Sequence, residues 1–237
     1  INGTSGYEEA AAQGLVAGIN AVLKLRERPP LILDRSQAYI GVLIDDLITK
    51  DAYEPYRMFT SRAEYRILLR QDNADLRLTE MGHKLGLASD DRLEKVLDKK
   101  NDVKQLALEL SKIKVEPDII NNELANLSTA AIREKVFATN LIRRPEIGVK
   151  ELKTLDPEIK TLLNKYSTEV QEQVEILIKY ESYIDREQKL AEKIGNLDSY
   201  KIKGDFEYDR VKALSAEGRE KLKKIKPETI GQASRIS

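Results

Sequence analysis

The stretch DDRLEKVLDKKNDVKQLALELSKI, residues 90–113, constrains the fold of this chain more than any other. Leu93, Val96, Leu97, Val103, Leu106, Leu110 and Ile113 recur at helical spacing with charges between them, which writes one long amphipathic helix capped near Asp90 or Asp91. A helix with a single apolar stripe must bury it against something. A second long pattern, from about Thr168 to Lys193, offers Val170, Val174, Leu177, Ile178, Ile184 and Leu190 on one side. Neither pattern is a clean multi-heptad repeat, so packing within a bundle is expected rather than a free coiled coil. Alternating β-branched runs are scarce and aromatic residues make up only 5% of the chain, so the whole reads as mainly α. At 237 residues there is room for one or two domains, or a domain with appendages.

Charge and rare residues then exclude whole classes of chemistry. Lys plus Arg and Asp plus Glu both number 40, so no global field advertises a nucleic acid or a membrane, and any such partner must meet a local patch. Cys is absent, which removes disulfides, thiolate metal sites and Cys nucleophiles, and the single His argues against a His-based metal cluster or a Ser-His triad. That residue, His83, follows the expected cap Thr79 and reads as a helix-surface residue. No apolar run approaches membrane-spanning length, and the first residues lack the basic-then-apolar layout of a signal peptide. A soluble, cytoplasmic protein without metal is expected.

The chain opens on INGTSGYEEAAAQGLVAGIN, without an initiator Met. Ser5 with Glu8 spells a capping box, and the helix it starts near Gly6 or Tyr7 runs to about Lys24, with Leu15, Ile19 and Leu23 on one side and many Ala and Gly positions elsewhere. Pro29 and Pro30 end it. AYIGVLIDDLITK follows, whose Tyr39, Val42, Leu43, Leu47 and Ile48 fit one helical face, with a strand open for part of it. Adjacent helical residues point in different directions, so Asp45 and Asp46 are expected on a solvated edge.

EPYRMFTSRAEYRILLRQDNADLRL is the most informative segment for function. Ser61 with Glu64 forms a second capping box, which predicts a helix from about Arg62 with Arg62, Arg66 and Arg70 along one face. Between Pro55 and Arg70 stand four Arg and one Glu, interleaved with Tyr56, Phe59 and Tyr65. Guanidinium groups grip phosphate and stack on bases, so this mixture suits RNA; the alternative is a structural ion network with Glu54, Glu64, Asp72 and Asp75. Further on, STAAIREKVFATNLIRRPEIGVKEL predicts a shorter helix ended before Pro145, with Arg143 and Arg144 a weak basic spot. In the tail, Ser215 caps a helix from about Ala216 to Lys224, and Pro227 opens another. Arg219 to Lys226 holds five basic residues and one acidic, a solvated face or a docking surface.

INGTSGYEEAAAQGLVAGINA, YIGVLIDDLI, EPYRMFTSRAEYRILLRQDNADLRLTEMG and IGQASRIS together resemble the C-terminal part of the MnmG family, also called GidA, the bacterial tRNA uridine 5-carboxymethylaminomethyl modification enzymes. QVEILIKYESYI also resembles a family stretch. The resemblance implies a flavoprotein that works with the GTPase MnmE on C5 of the wobble uridine of certain tRNAs, using FAD, NADH and a one-carbon unit from methylenetetrahydrofolate. It also implies a homodimer, and that the larger N-terminal portion of the family, with its dinucleotide-binding glycines and cysteines, lies outside this chain, as does a stretch after Ser237. Asn2, Gly3, Thr4, Ser5, Gly6 and Tyr7 match the family stretch that closes over the flavin. Arg57, Arg62, Arg66 and Arg70 are the expected tRNA contacts, and no catalytic residue is assigned. The expected division is 1–28, terminal turn and helix of the FAD-binding domain; 29–90, a connecting region with the arginine helix; 91–195, helical scaffold; and 196–237, a small docking unit for MnmE or tRNA. The fold expected is mainly α, a helical bundle-like C-terminal region with a residual helix from an α/β FAD-binding domain. Alone, such a piece is expected to be inactive and to bind FAD weakly or not at all. A structural or interaction module without RNA binding of its own is the other reading.

Overall fold

A computed structural model describes residues 4, 6–49 and 55–236. Among them are twelve helices: α1 (Tyr7–Leu25), α2 (Tyr39–Thr49), α3 (Ala74–Lys84), α4 (Asp90–Leu110), α5 (Pro117–Asn126), α6 (Ala138–Ile142), α7 (Val149–Leu155), α8 (Pro157–Leu163), α9 (Thr168–Lys179), α10 (Glu181–Ser199), α11 (Ala216–Ile225) and α12 (Ile230–Arg235). Two short strands, β1 (Lys114–Val115) and β2 (Val136–Phe137), pair antiparallel with Lys114 opposite Phe137. The mainly α class is therefore observed. The chain divides into two compact units, residues 1–69 with 186–237, and residues 70–185.

The 70–185 unit is held by apolar burial. Val103, Leu106 and Leu110 of α4 meet Ile120 and Leu124 of α5, Leu141 and Ile142 of α6, Leu152 of α7, Ile159 and Leu163 of α8, and Val170 and Val174 of α9. Helix starts here follow local chemistry. The Ser89 hydroxyl accepts from the amide of Arg92, which places the α4 cap one residue before Asp90. Asp156 accepts from the amides of Glu158 and Ile159 while Pro157 fills the first helical position, where a missing N–H costs nothing. The single helix expected over 168–193 is instead two, because Tyr180 sits at φ −108° and ψ 13° and breaks the run between α9 and α10. Neither Gly nor Pro marks that break.

The unit of residues 1–69 and 186–237 is built differently. Of the expected row in α1, Leu23 is buried, Ile19 half-buried and Leu15 exposed, and Tyr7 and Leu25 outside the row are exposed too. The Asn20 side chain clasps the backbone of Leu31 from both sides, donating to its carbonyl at 3.0 Å and accepting from its amide at 2.6 Å, and so fixes the return past Pro29 and Pro30. The chain then passes so close to α2 that a Cβ at Gly41 would lie 2.4 Å from the carbonyl oxygens of Leu33 and Asp34. Only glycine fits there. Residues Tyr39–Thr49 are helical throughout, which settles the strand alternative against a strand, and Val42 and Leu43 of α2 are fully buried. In the tail, Ser215 caps α11 as expected, Lys226 ends it in the left-handed region, and Thr229 rather than Pro227 caps α12.

One predicted element does not form. Thr60–Arg62 is a short 3-10 turn, Ala63 leaves it at ψ 89°, and no helix resumes before Ala74. The carboxylate that was to cap this helix, Glu64, is drawn instead to Arg35, while Tyr65 and Leu69 turn inward. Arg62, Arg66 and Arg70 therefore do not share a helical face.

Candidate functional site

Around the missing helix lies a network of buried charge. Arg35, only 6% exposed, donates from Nη1 to Asp45 at 2.8 Å and to Asp46 at 2.7 Å, and from Nε and Nη2 to Glu64 at 3.0 and 2.6 Å. Asp46 is 1% exposed and also accepts from the Tyr56 hydroxyl at 2.9 Å. Arg235 of α12 forks onto Asp45 at 2.7 and 3.1 Å and reaches Asp198 of α10 at 3.0 and 3.2 Å. The expectation that Asp45 and Asp46 form a solvated edge is thus overturned. Buried carboxylates persist only when paired, and two arginines far apart in sequence pair them.

The electrostatics follow from these contacts. Burial by itself would lower the Arg35 pKa, but hydrogen bonds and charge from Glu64 and Asp46 outweigh it and raise it. Arg235 behaves alike, burial being overcome by its bonds to Asp45 and Asp198. Burial, reinforced by the hydrogen bond and charge of Asp46, pushes the Tyr56 hydroxyl up to about 12. Both arginines are fully charged clamps at neutral pH.

The four expected RNA-facing arginines divide into two pairs. Arg62 lies 4.5 Å over the Tyr56 ring and 3.9 Å from Asp46, and Arg70 bonds to Asp72 at 3.1 Å and to Gln173 at 3.1 Å. These two are engaged internally. Arg57 and Arg66 are exposed and have no ion pair among the described residues. Of the interleaved aromatics, Tyr56 and Tyr65 are buried and unable to stack on a base, whereas Phe59 is 57% exposed. The exposed set is therefore Arg57, Phe59 and Arg66.

At the start of α1, Asn2, Gly3 and Ser5 of the expected flavin stretch, with the Ser5 cap, lie outside the described residues. Thr4 accepts from Gln13 at 3.0 Å, Gly6 is the buried N-cap residue, and Tyr7 is 90% exposed. Glu9, rather than Glu8, occupies the helix entrance: its carboxylate lies where a Gly6 side chain would stand and accepts from the amide of Met58 at 3.0 Å. That backbone bond, foremost, lowers the Glu9 pKa. The Glu9 carboxylate thus faces the first turn of α1. A cavity of about 380 Å³ opens beside it, lined by Glu9, Ala12, Tyr39, Leu43, Arg57 and Met58 among others.

Elsewhere the basic spots are mostly spent. Lys221 pairs with Glu217, Lys223 with Asp209, and Arg143 with Glu181. His83 pairs with Asp90 at 2.7 Å on the surface. No group of metal-binding side chains occurs among the described residues, and no helix there is long and apolar enough to cross a membrane. Sequence reasoning missed Arg35 and Arg235; the available signal was two adjacent Asp in an otherwise apolar helix, which demand cations from elsewhere.

Comparison with known proteins accounts for most of the chain. Residues 90–188 match the family described as the tRNA modifying enzyme MnmG/GidA C-terminal helical domain, residues 191–237 its C-terminal helical bundle, and residues 1–29 glucose inhibited division protein A. The tRNA uridine 5-carboxymethylaminomethyl modification enzyme MnmG of Cytophaga hutchinsonii is 53% identical over 237 residues, covering all of this chain and 38% of that protein. The enzyme of the same name from Bacteroides fragilis is 50% identical over 240 residues with the same coverage. Among solved structures, Aquifex aeolicus GidA superposes with a TM-score of 0.78 at 41% identity, over all of this chain and 36% of that one. The chain thus spans about two fifths of the length of the relatives it matches.

Proposed function

The chain belongs to the MnmG/GidA family, and from that premise we propose that it forms the tRNA-facing and partner-facing part of a wobble-uridine modification enzyme. The chemistry belongs to the whole enzyme: FAD carries the redox and one-carbon steps, NADH supplies the electrons, and a carboxymethylaminomethyl or aminomethyl group is placed on C5 of the uridine. MnmE is its GTPase partner, the protein is a homodimer, and it works in the cytoplasm. Within this reading residues 1–28 belong to the edge of the FAD-binding domain, with Asn2, Gly3, Thr4, Ser5, Gly6 and Tyr7 beside the cofactor. Residues 29–90 carry the RNA contacts, 91–195 the scaffold, and 196–237 the docking unit. The piece alone is inactive.

The observation that carries the proposal is the exposed trio Arg57, Phe59 and Arg66 in a protein of zero net charge. Two unpaired guanidinium groups grip phosphate oxygens bidentately, and the free ring between them stacks on an unpaired base, as single-stranded loop recognition requires. Arg62 takes the supporting role, held over Tyr56, while Arg70 is engaged with Asp72 and Gln173. In the full-length protein, tRNA binding measured across a salt series tests this. Arg57→Ala and Arg66→Ala are each expected to lower the salt slope by about one unit. Unchanged affinity and slope in the double variant would overturn the RNA reading and leave an interaction module.

A further inference from the structure

We propose that Arg235 of α12 is a positioning residue for the arginine loop: the carboxylate it shares with Arg35 keeps Glu64 bound, and Glu64 sets the place of Arg66. The proposal rests on the reading of Arg57 and Arg66 as RNA contacts. Its geometry is continuous. Arg235 forks onto Asp45, Asp45 bonds to Arg35 at 2.8 Å, Arg35 grips Glu64 with two nitrogens, and Glu64 stands two residues before Arg66 with the buried Tyr65 between them.

Charge counting shows why the distant arginine matters. Asp45, Asp46 and Glu64 all crowd onto Arg35, and Asp45 is the only one that Arg235 also neutralises. Without Arg235, Asp45 and Glu64 both depend on Arg35, which they share with an Asp46 that also keeps Tyr56 and Arg62, and like charges at that range repel. Asp46 is buried and cannot leave. Glu64, 41% exposed, reaches water at least cost and is the one released. The loop then loses its tether while Arg66 keeps its charge, so RNA affinity falls through position rather than through a lost contact.

α12 is seated for this role by specific contacts. A Cβ at Gly231 would lie 2.0 Å from Oδ1 of Asp198, so the helix rests directly on that carboxylate. The Thr229 hydroxyl donates to the same oxygen at 3.2 Å, and the amide of Ile230 donates to the carbonyl of Tyr200 at 2.9 Å.

Two readouts on the full-length protein test the inference: amide hydrogen exchange over residues 62–70, and tRNA affinity in two backgrounds. Arg235→Gln is expected to speed exchange in 62–70 and to weaken tRNA binding by about fivefold, the scale of one phosphate contact. In the Arg57→Ala, Arg66→Ala background it is expected to weaken binding no further. Arg235→Lys keeps the charge but loses the fork, and is expected to leave exchange elevated. Should Arg235→Gln fail to fold, Asp198→Asn loosens the same seat while sparing the fork on Asp45, with the same direction and a smaller size. Unchanged exchange over 62–70, an equal loss of binding in both backgrounds, or full recovery in Arg235→Lys would each overturn the proposal. If the double loop variant itself leaves binding untouched, the RNA reading falls, whereas the exchange result still judges the tether.

Discussion

The two compact units solve the same problem with opposite means. Residues 70–185 close around Leu, Ile and Val from six helices, whereas residues 1–69 with 186–237 bury Arg35, Asp45 and Asp46 and leave most of α1 uncovered. An apolar core is non-directional and tolerates volume-conserving change, while a buried ion cluster is directional and punishes the loss of any one member. Precision of placement is thus concentrated in the unit that carries the exposed arginines.

The sharpest way to break this contrast is Arg35→Ala. It strips Asp45 and Asp46 of their shared cation and is expected to cost about 3–5 kcal/mol. Arg235 still holds Asp45, and Tyr56 and Arg62 still face Asp46, so the loss is read as a lower midpoint in chemical denaturation against the parent chain. Leu106→Ala in α4, fully buried, is expected to cost about 2–5 kcal/mol, with exchange faster throughout 70–185. Tyr56→Phe gives the smallest effect and the clearest sign. A pKa raised to about 12 means stability present below pH 10 and lost as pH rises through 12, on the order of 2 kcal/mol. The variant should lack that alkaline loss relative to the parent chain, and identical alkaline profiles would show that neither burial nor Asp46 raises the hydroxyl.

How much of this was legible depended on the reach of each interaction. The stripe of α4 and the Ser215 cap of α11 are written within a few residues, and both were readable from local sequence. The break at Tyr180 carries no local mark and was missed. The helix expected from Arg62 failed because Ser61 and Glu64 make a sound local cap that a cation 29 residues away outbids. Asp45 and Asp46 were misjudged for the same reason, since one of their partners stands 190 positions later. Arg57 and Arg66 stand out in the composition of their own segment, whereas the partners of the buried pairs, Arg35 and Arg235, do not. The family itself was legible from short motifs spread along the chain, and IGQASRIS, one of those motifs, contains Arg235.

The double duty of Asp45 has an evolutionary side. A carboxylate claimed by two arginines ties three distant positions, 35, 45 and 235, into one unit of inheritance. Related sequences should then keep all three or exchange all three, with intermediates rare, because each single step strands a charge that the other two had made harmless.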